Sequence, residues 1–171
     1  MNVIRVLANA GFEKFSIYGF SIDYPSVCSI DLNRKSKRAS GDVVFHFPDK
    51  EKVILIWGNL EKAQKRFHTV DEHAEHGIKR ISTSGPVKSC ERVNKDSIEV
   101  NSHRAAYNCI KVNQSVSVFA KDKTVTRDGY SLHLHCQNSS RYFIISTLLS
   151  SKAPQHFGEL MKTMMDSFKC H

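Results

Sequence analysis

The chain has 171 residues, a net charge of +8, a pI near 9.3, 40% hydrophobic and 25% charged residues. That length is read as a single domain, 1–171, able to bury a core without metals or disulfides. The basic balance favours acidic partners such as nucleic acid, anionic lipid or an acidic protein face, and the composition is that expected of a soluble globular protein. The longest apolar run, "VILIW" at 53–57, is far short of the roughly 20 residues that span a bilayer. The opening "MNVIRVLANAGFEKF" lacks the apolar core of a secretory signal, so a cytoplasmic location is expected. Cys28, Cys90, Cys109, Cys136 and Cys170 are dispersed without a CxxC pair, which argues against zinc fingers and a full disulfide framework.

In "YGFSIDYP" (18–25), Phe20, Ile22 and Tyr24 alternate with Ser21 and Asp23, which predicts a half-buried strand ending at Pro25. "VCSIDL" (27–32) is a second strand, and "NRKSKRASG" (33–41) a basic loop. Val43, Phe45 and Phe47 alternate in a third. "PDKE" turns the chain into "KVILIWG", a strand apolar on both faces. An antiparallel meander thus opens the domain.

"HTVDEHAEHG" (68–77) holds three histidines and three carboxylates. Thr69 and Glu72 have the spacing of a capping box, so a helix is predicted from Thr69 to about Ser82. Asp71 and Glu72 favour its positive end. Val70, Ala74, Gly77, Ile78 and Ile81 share the core-facing stripe, with His73 at its edge and His76 on the polar face.

Strands follow at "VKSCERV" (87–93), "SIEV" (97–100) and "HRAAYNCIKV" (103–112), separated by the turn formers "NKD" and "NS". "SVSVFAK" (115–121) is another strand or an irregular crossing. In "GYSLHLHCQN", Tyr130, Leu132, Leu134 and Cys136 alternate with Ser131, His133 and His135. "YFIISTLLS" (142–150) is a long apolar strand after the "NSSR" turn. A final helix spans about 154–168, opened by Pro154, with Phe157, Leu160, Met161, Met164 and Phe168 at helical spacing. Strands, helix, strands, helix define an α+β domain with helices on an antiparallel sheet.

The stretches "YGFSIDYP", "IEVNSHRAAYNCI" and "YFIISTLLS…FGELMKTMMDSFK" resemble the PsbP-like fold over roughly residues 15–169. The resemblance implies a three-layer α/β/α sandwich around an antiparallel sheet. It also implies a non-catalytic binding or assembly role with a protein partner. No binding motif is carried over with it.

Catalytic signatures are sparse: there is no Gly-rich phosphate loop and no GxSxG elbow. Cys136 follows His135, but neighbours on a strand face opposite ways. Two further readings rest on residue clusters. Arg34, Lys35, Lys37 and Arg38, with Lys62, Lys65 and Arg66, would bind nucleic acid or another polyanion if they shared a face. His133 and His135, two apart on a strand, project from one face and would bind zinc or a similar divalent ion with a third ligand such as His103, His46 or a carboxylate. His73 and His76 form a second candidate pair. Cys170 and His171 add soft ligands at a position expected to fray.

Overall fold

The computed structural model describes residues 11–115, 124–150, 152–153 and 156–171. Its strands are β1 (Phe12–Ile17), β2 (Phe20–Pro25), β3 (Ser29–Leu32), β4 (Gly41–His46), β5 (Lys52–Asn59), β6 (Val87–Val100), β7 (His103–Ser115), β8 (Thr124–Cys136) and β9 (Arg141–Leu148). Its helices are α1 (Leu60–Gln64), α2 (Val70–Ser82) and α3 (Phe157–Asp166). β1 and β2 form a separate hairpin, and the other seven strands form an antiparallel sheet in the order β3-β4-β5-β9-β8-β7-β6. None of the described helices is long and apolar enough to cross a membrane.

The sheet is the middle layer. On one face the hairpin and α3 bury Phe20, Ile22, Phe157, Met161 and Met164 against Phe45, Leu55, Trp57, Leu132 and Phe143. Strand alternation delivers those side chains: Val53, Leu55 and Trp57 are buried to within 1% exposure, while Ile54 and Ile56 face the other way and are half-buried. On that other face α2 packs Val70 and Ala74 onto Ala106 of β7. Small residues on both sides let the helix axis come close to the strands. Asp71 and Glu75 of α2 pair with Arg92, Lys95 and Arg104 of β6 and β7, which fixes its rotation.

Several expectations hold in detail. The Thr69 hydroxyl accepts the Glu72 N–H at 3.1 Å, and the Glu72 carboxylate accepts the His68 N–H at 2.8 Å, so the helix starts where the capping spacing places it. "NS" is the two-residue turn between β6 and β7. Asn101 and Ser102 both adopt positive φ, 48° and 63°, as the mirror-image hairpin turn requires.

Other expectations need correction. "NKD" is not a turn: β6 runs unbroken from Val87 to Val100, with register shifts between Val87 and Ser89 and between Arg92 and Asn94. Pairing to β7 along its whole length, and the Lys95 contacts with α2, outweigh the local turn preference of Asn and Asp. β1 and the five-residue α1 were not foreseen. β2 pairs with β1 rather than joining the meander. The final helix begins at Phe157; Pro154 lies outside the described residues, as does "SVSVFAK" beyond Ser115.

Candidate functional site

His73 of "HTVDEHAEHG" meets His133 and His135 of "HLHC" between α2 and the sheet. His133 and His135 leave β8 on the α2 face, opposite to Leu132, Leu134 and Cys136. One strand thus supplies apolar side chains to one layer and imidazoles to the other. His73, one turn into α2, descends between them. Its Nδ1 lies 3.1 Å from His135 Nε2, and its ring centroid lies 5.4 Å from those of both His133 and His135. Tyr142 of β9 stands edge-on to His73 at 5.1 Å, and Phe67 stacks on it at 4.6 Å with an interplanar angle of 11°. Gly77 is the reason His133 fits beneath the helix: a Cβ there would stand 3.1 Å from His133 Nε2. A mid-helix glycine, costly by about 1 kcal/mol against alanine, is thereby accounted for.

All three imidazoles are buried. Burial, then the neighbouring His135, His76 and Arg66, push His73 down to about 4. Burial, then His73 and His135, push His133 down to about 3, and burial lowers His135. At neutral pH the group is uncharged. Its hydrogen bonding is incomplete, because the buried Nδ1 of His133 has no partner among the described residues. His133 lines a cavity of about 150 Å³ beneath α2, with Gly77, Ile81 and Tyr130.

On the other side of His73 a second cleft of about 350 Å³ lies between α1, α2 and β9. Lys62, Arg66 and Arg80 line it together with His73, His76 and Tyr142. None of these three cations forms an ion pair among the described residues, whereas Lys65 of the same basic cluster is paired with Glu61 at 2.8 Å. Arg66 lies over the Phe67 ring at 5.3 Å, which leaves its guanidinium edges free for an acceptor.

Not every predicted site residue gathers here. His76 does not join the three-histidine group but packs against Phe67, 5.0 Å from its ring. His103 does not complete a set with His133 and His135. Continuing the β7–β8 register two residues beyond the Ala105–Leu134 pair places His103 across from Cys136. His46 is exposed at the end of β4. The two basic clusters do not line one cleft. The 33–41 loop is fastened to the hairpin side of the sheet, where the Trp57 indole donates to Lys37 O at 2.8 Å and Tyr18 donates to Ser36 O. Lys62 and Arg66 stand with Ile56 on the other side. Arg80, Phe67 and Tyr142 were not foreseen as site residues; helical spacing put Arg80 on the polar face of α2, but the cleft needs α1 folded against β9.

Cys170 and His171 are not frayed. Lys169 exchanges backbone hydrogen bonds with Ser21, the Cys170 N–H donates to Asn101 Oδ1 at 2.9 Å, and Cys170 is fully buried. With His103 and Cys136 these two residues form the group of described potential metal ligands whose donor atoms lie within 4.8 Å of one another.

No protein-family model and no curated protein matches the sequence. Solved structures do match in shape. The solution structure of cyanobacterial PsbP from Synechocystis sp. superposes with a TM-score of 0.69 at 14% identity, covering 95% of this chain and 94% of that one. The Saccharomyces cerevisiae Ran-binding protein Mog1p superposes with a TM-score of 0.62 at 11% identity, covering 94% and 95%. The chain therefore has the PsbP-like fold, an α+β sandwich shared with these two proteins. At these identities the likeness concerns architecture, and function has to be argued from the site.

Proposed function

We propose that this chain is a non-catalytic binding or assembly protein, and that the cleft over the histidine floor receives an acidic group of a protein partner. The observation that carries the reading is the convergence of Lys62, Arg66 and Arg80, unpaired among the described residues, on one cleft. Buried neutral imidazoles beneath them lower the local dielectric without cancelling the positive field, so a carboxylate entering the cleft gains more than it would at an open surface. The fold supports the reading by analogy, since one of the structures it resembles is a Ran-binding protein. Binding nucleic acid is the competing use of the same charge. The separation of the 33–41 loop from the cleft favours a compact acidic group over an extended polyanion tracking both clusters.

A labelled glutamate-rich peptide and a duplex DNA of equal charge provide the test at low salt. The peptide should bind with an affinity that falls as salt rises. Lys62→Glu, Arg66→Glu and Arg80→Glu combined should weaken it tenfold or more, about 1.4 kcal/mol or greater. Serine at Arg34, Lys35, Lys37 and Arg38 should have little effect. Stronger binding to DNA, lost on changing the 34–38 loop, would replace the acidic-partner reading with the polyanion one.

A further inference from the structure

We propose that His103, Cys136, Cys170 and His171 form a tetrahedral binding site for a divalent ion of the zinc class, on the face of the sheet opposite the histidine floor. The four donors come from three separate parts of the fold. His103 opens β7 directly after the Asn101–Ser102 turn. Cys136 ends β8, across from His103 in register and paired on its other side with Arg141 of β9. Cys170 and His171 follow α3, held in place by the Lys169–Ser21 bridge and by Asn101. The same turn residue that positions His103 thus also anchors Cys170.

The distances suit a metal. Zinc bound tetrahedrally at about 2.3 Å from sulfur and 2.0–2.1 Å from nitrogen places its ligand atoms about 3.3–3.8 Å apart. His171 Nδ1 lies 3.5 Å from Cys136 Sγ and 3.3 Å from Cys170 Sγ. The ring of His103 stands 5.5 Å from that of His171, and its buried Nε2 has no hydrogen-bond partner among the described residues. A buried imidazole nitrogen without a partner is costly, and a metal bond would satisfy it. Two sulfurs and two imidazoles are the donor set of structural zinc sites, with four protein ligands and no open position.

The surroundings support the charge the site needs. The guanidinium of Arg141, buried above the Phe20 and Phe143 rings, is close enough to favour the Cys170 thiolate, although burial and Cys136 hold that thiol above its usual range without a metal. The Asn138 amide lies 3.2 Å from His171 Nε2. With Nδ1 on the metal, Nε2 carries the proton, and Asn138 turns its oxygen to accept it, the outer hydrogen bond that fixes a ligating imidazole. The consequence is structural: the ion staples residues 170–171 to the β7 and β8 ends and so closes the α3 layer over the core.

Cobalt(II) titration of the reduced, chelator-treated chain tests the site. The expected result is one cobalt per chain, with the intense visible bands of tetrahedral coordination, thiolate-to-cobalt charge transfer, and displacement by zinc. His171→Ala changes an exposed side chain, so it should fold normally yet bind at least about tenfold more weakly, and Asn138→Ala should weaken binding about tenfold through orientation alone. Cys170→Ser should roughly halve the charge-transfer intensity per bound cobalt and Cys136→Ser with Cys170→Ser should abolish it, while His133→Ala and His135→Ala should keep it. Should Cys170→Ser fail to fold, the wild-type spectrum and the His171 variant decide. The proposal is overturned by absent cobalt binding, by a spectrum without thiolate character, by unchanged affinity in His171→Ala, or by a Cys136–Cys170 disulfide that binds no cobalt once reduced.

Discussion

Lowering the pH from about 7.5 to about 5 should cost this protein several kcal/mol of stability, with His133 alone accounting for about 2 kcal/mol. Unfolded histidine titrates near 6.5. In the folded chain burial and neighbouring imidazoles hold His133 down to about 3 and His73 down to about 4, and burial lowers His135 as well. Between those values the unfolded state takes up protons that the native state refuses. The stabilisation is therefore full above about 6.5 and is lost as pH falls toward the folded values. The lowered carboxylates, such as Glu75 beside Arg92, lose their contribution only nearer 4.5, so the histidines dominate the upper part of the range. Denaturant unfolding at the two pH values checks this. His133→Leu should recover about 2 kcal/mol of the difference, because leucine leaves nothing to protonate. Equal stability of the wild-type protein at both values would show that the imidazoles are not buried as a neutral group.

A second large effect is expected at Phe20. It is 1% exposed and is surrounded by Trp57 at 5.0 Å, Phe143 at 5.3 Å, Phe168 at 6.2 Å and Phe15 at 6.3 Å, with the Arg141 guanidinium at 5.5 Å. It joins the hairpin, the sheet and the segment after α3. Phe20→Ala should cost about 3–5 kcal/mol, the usual loss for deleting a buried aromatic ring. For a chain of this length that lowers the melting temperature by roughly 10 °C. Phe12→Ala, at a residue 46% exposed, should change it little. A loss below about 1 kcal/mol at Phe20 would mean that the hairpin is not packed on the sheet as described.

Alternation and capping were the legible parts of this sequence. The period of two along 129–136 sends leucines one way and histidines the other, and the structure preserves that division. Thr69 and Glu72 mark the start of α2 to the residue. What local pattern could not supply was the placement of α2 above β8. Helical spacing alone left His73 at the edge of the apolar stripe, yet it is the residue that joins His133 and His135. "NKD" misled because Asn and Asp favour turns locally, while Lys95 is held by α2 and the strand continues through it. His103, Cys136, Cys170 and His171 share no spacing. They meet through the β7–β8 register and the Lys169–Ser21 bridge, both long-range. α1, five residues long, gives too little periodicity to read, and the cleft that carries the functional proposal depends on it.

The acidic-partner cleft is tested most directly by two-dimensional NMR mapping of the full chain with a glutamate-rich peptide at low salt. The account predicts that amide and side-chain shifts concentrate at Lys62, Arg66, Phe67, His76 and Arg80, move progressively with peptide, and vanish in the Lys62→Glu, Arg66→Glu, Arg80→Glu variant. Shifts confined to the 33–41 loop, or spread evenly over every exposed lysine and arginine, would contradict it.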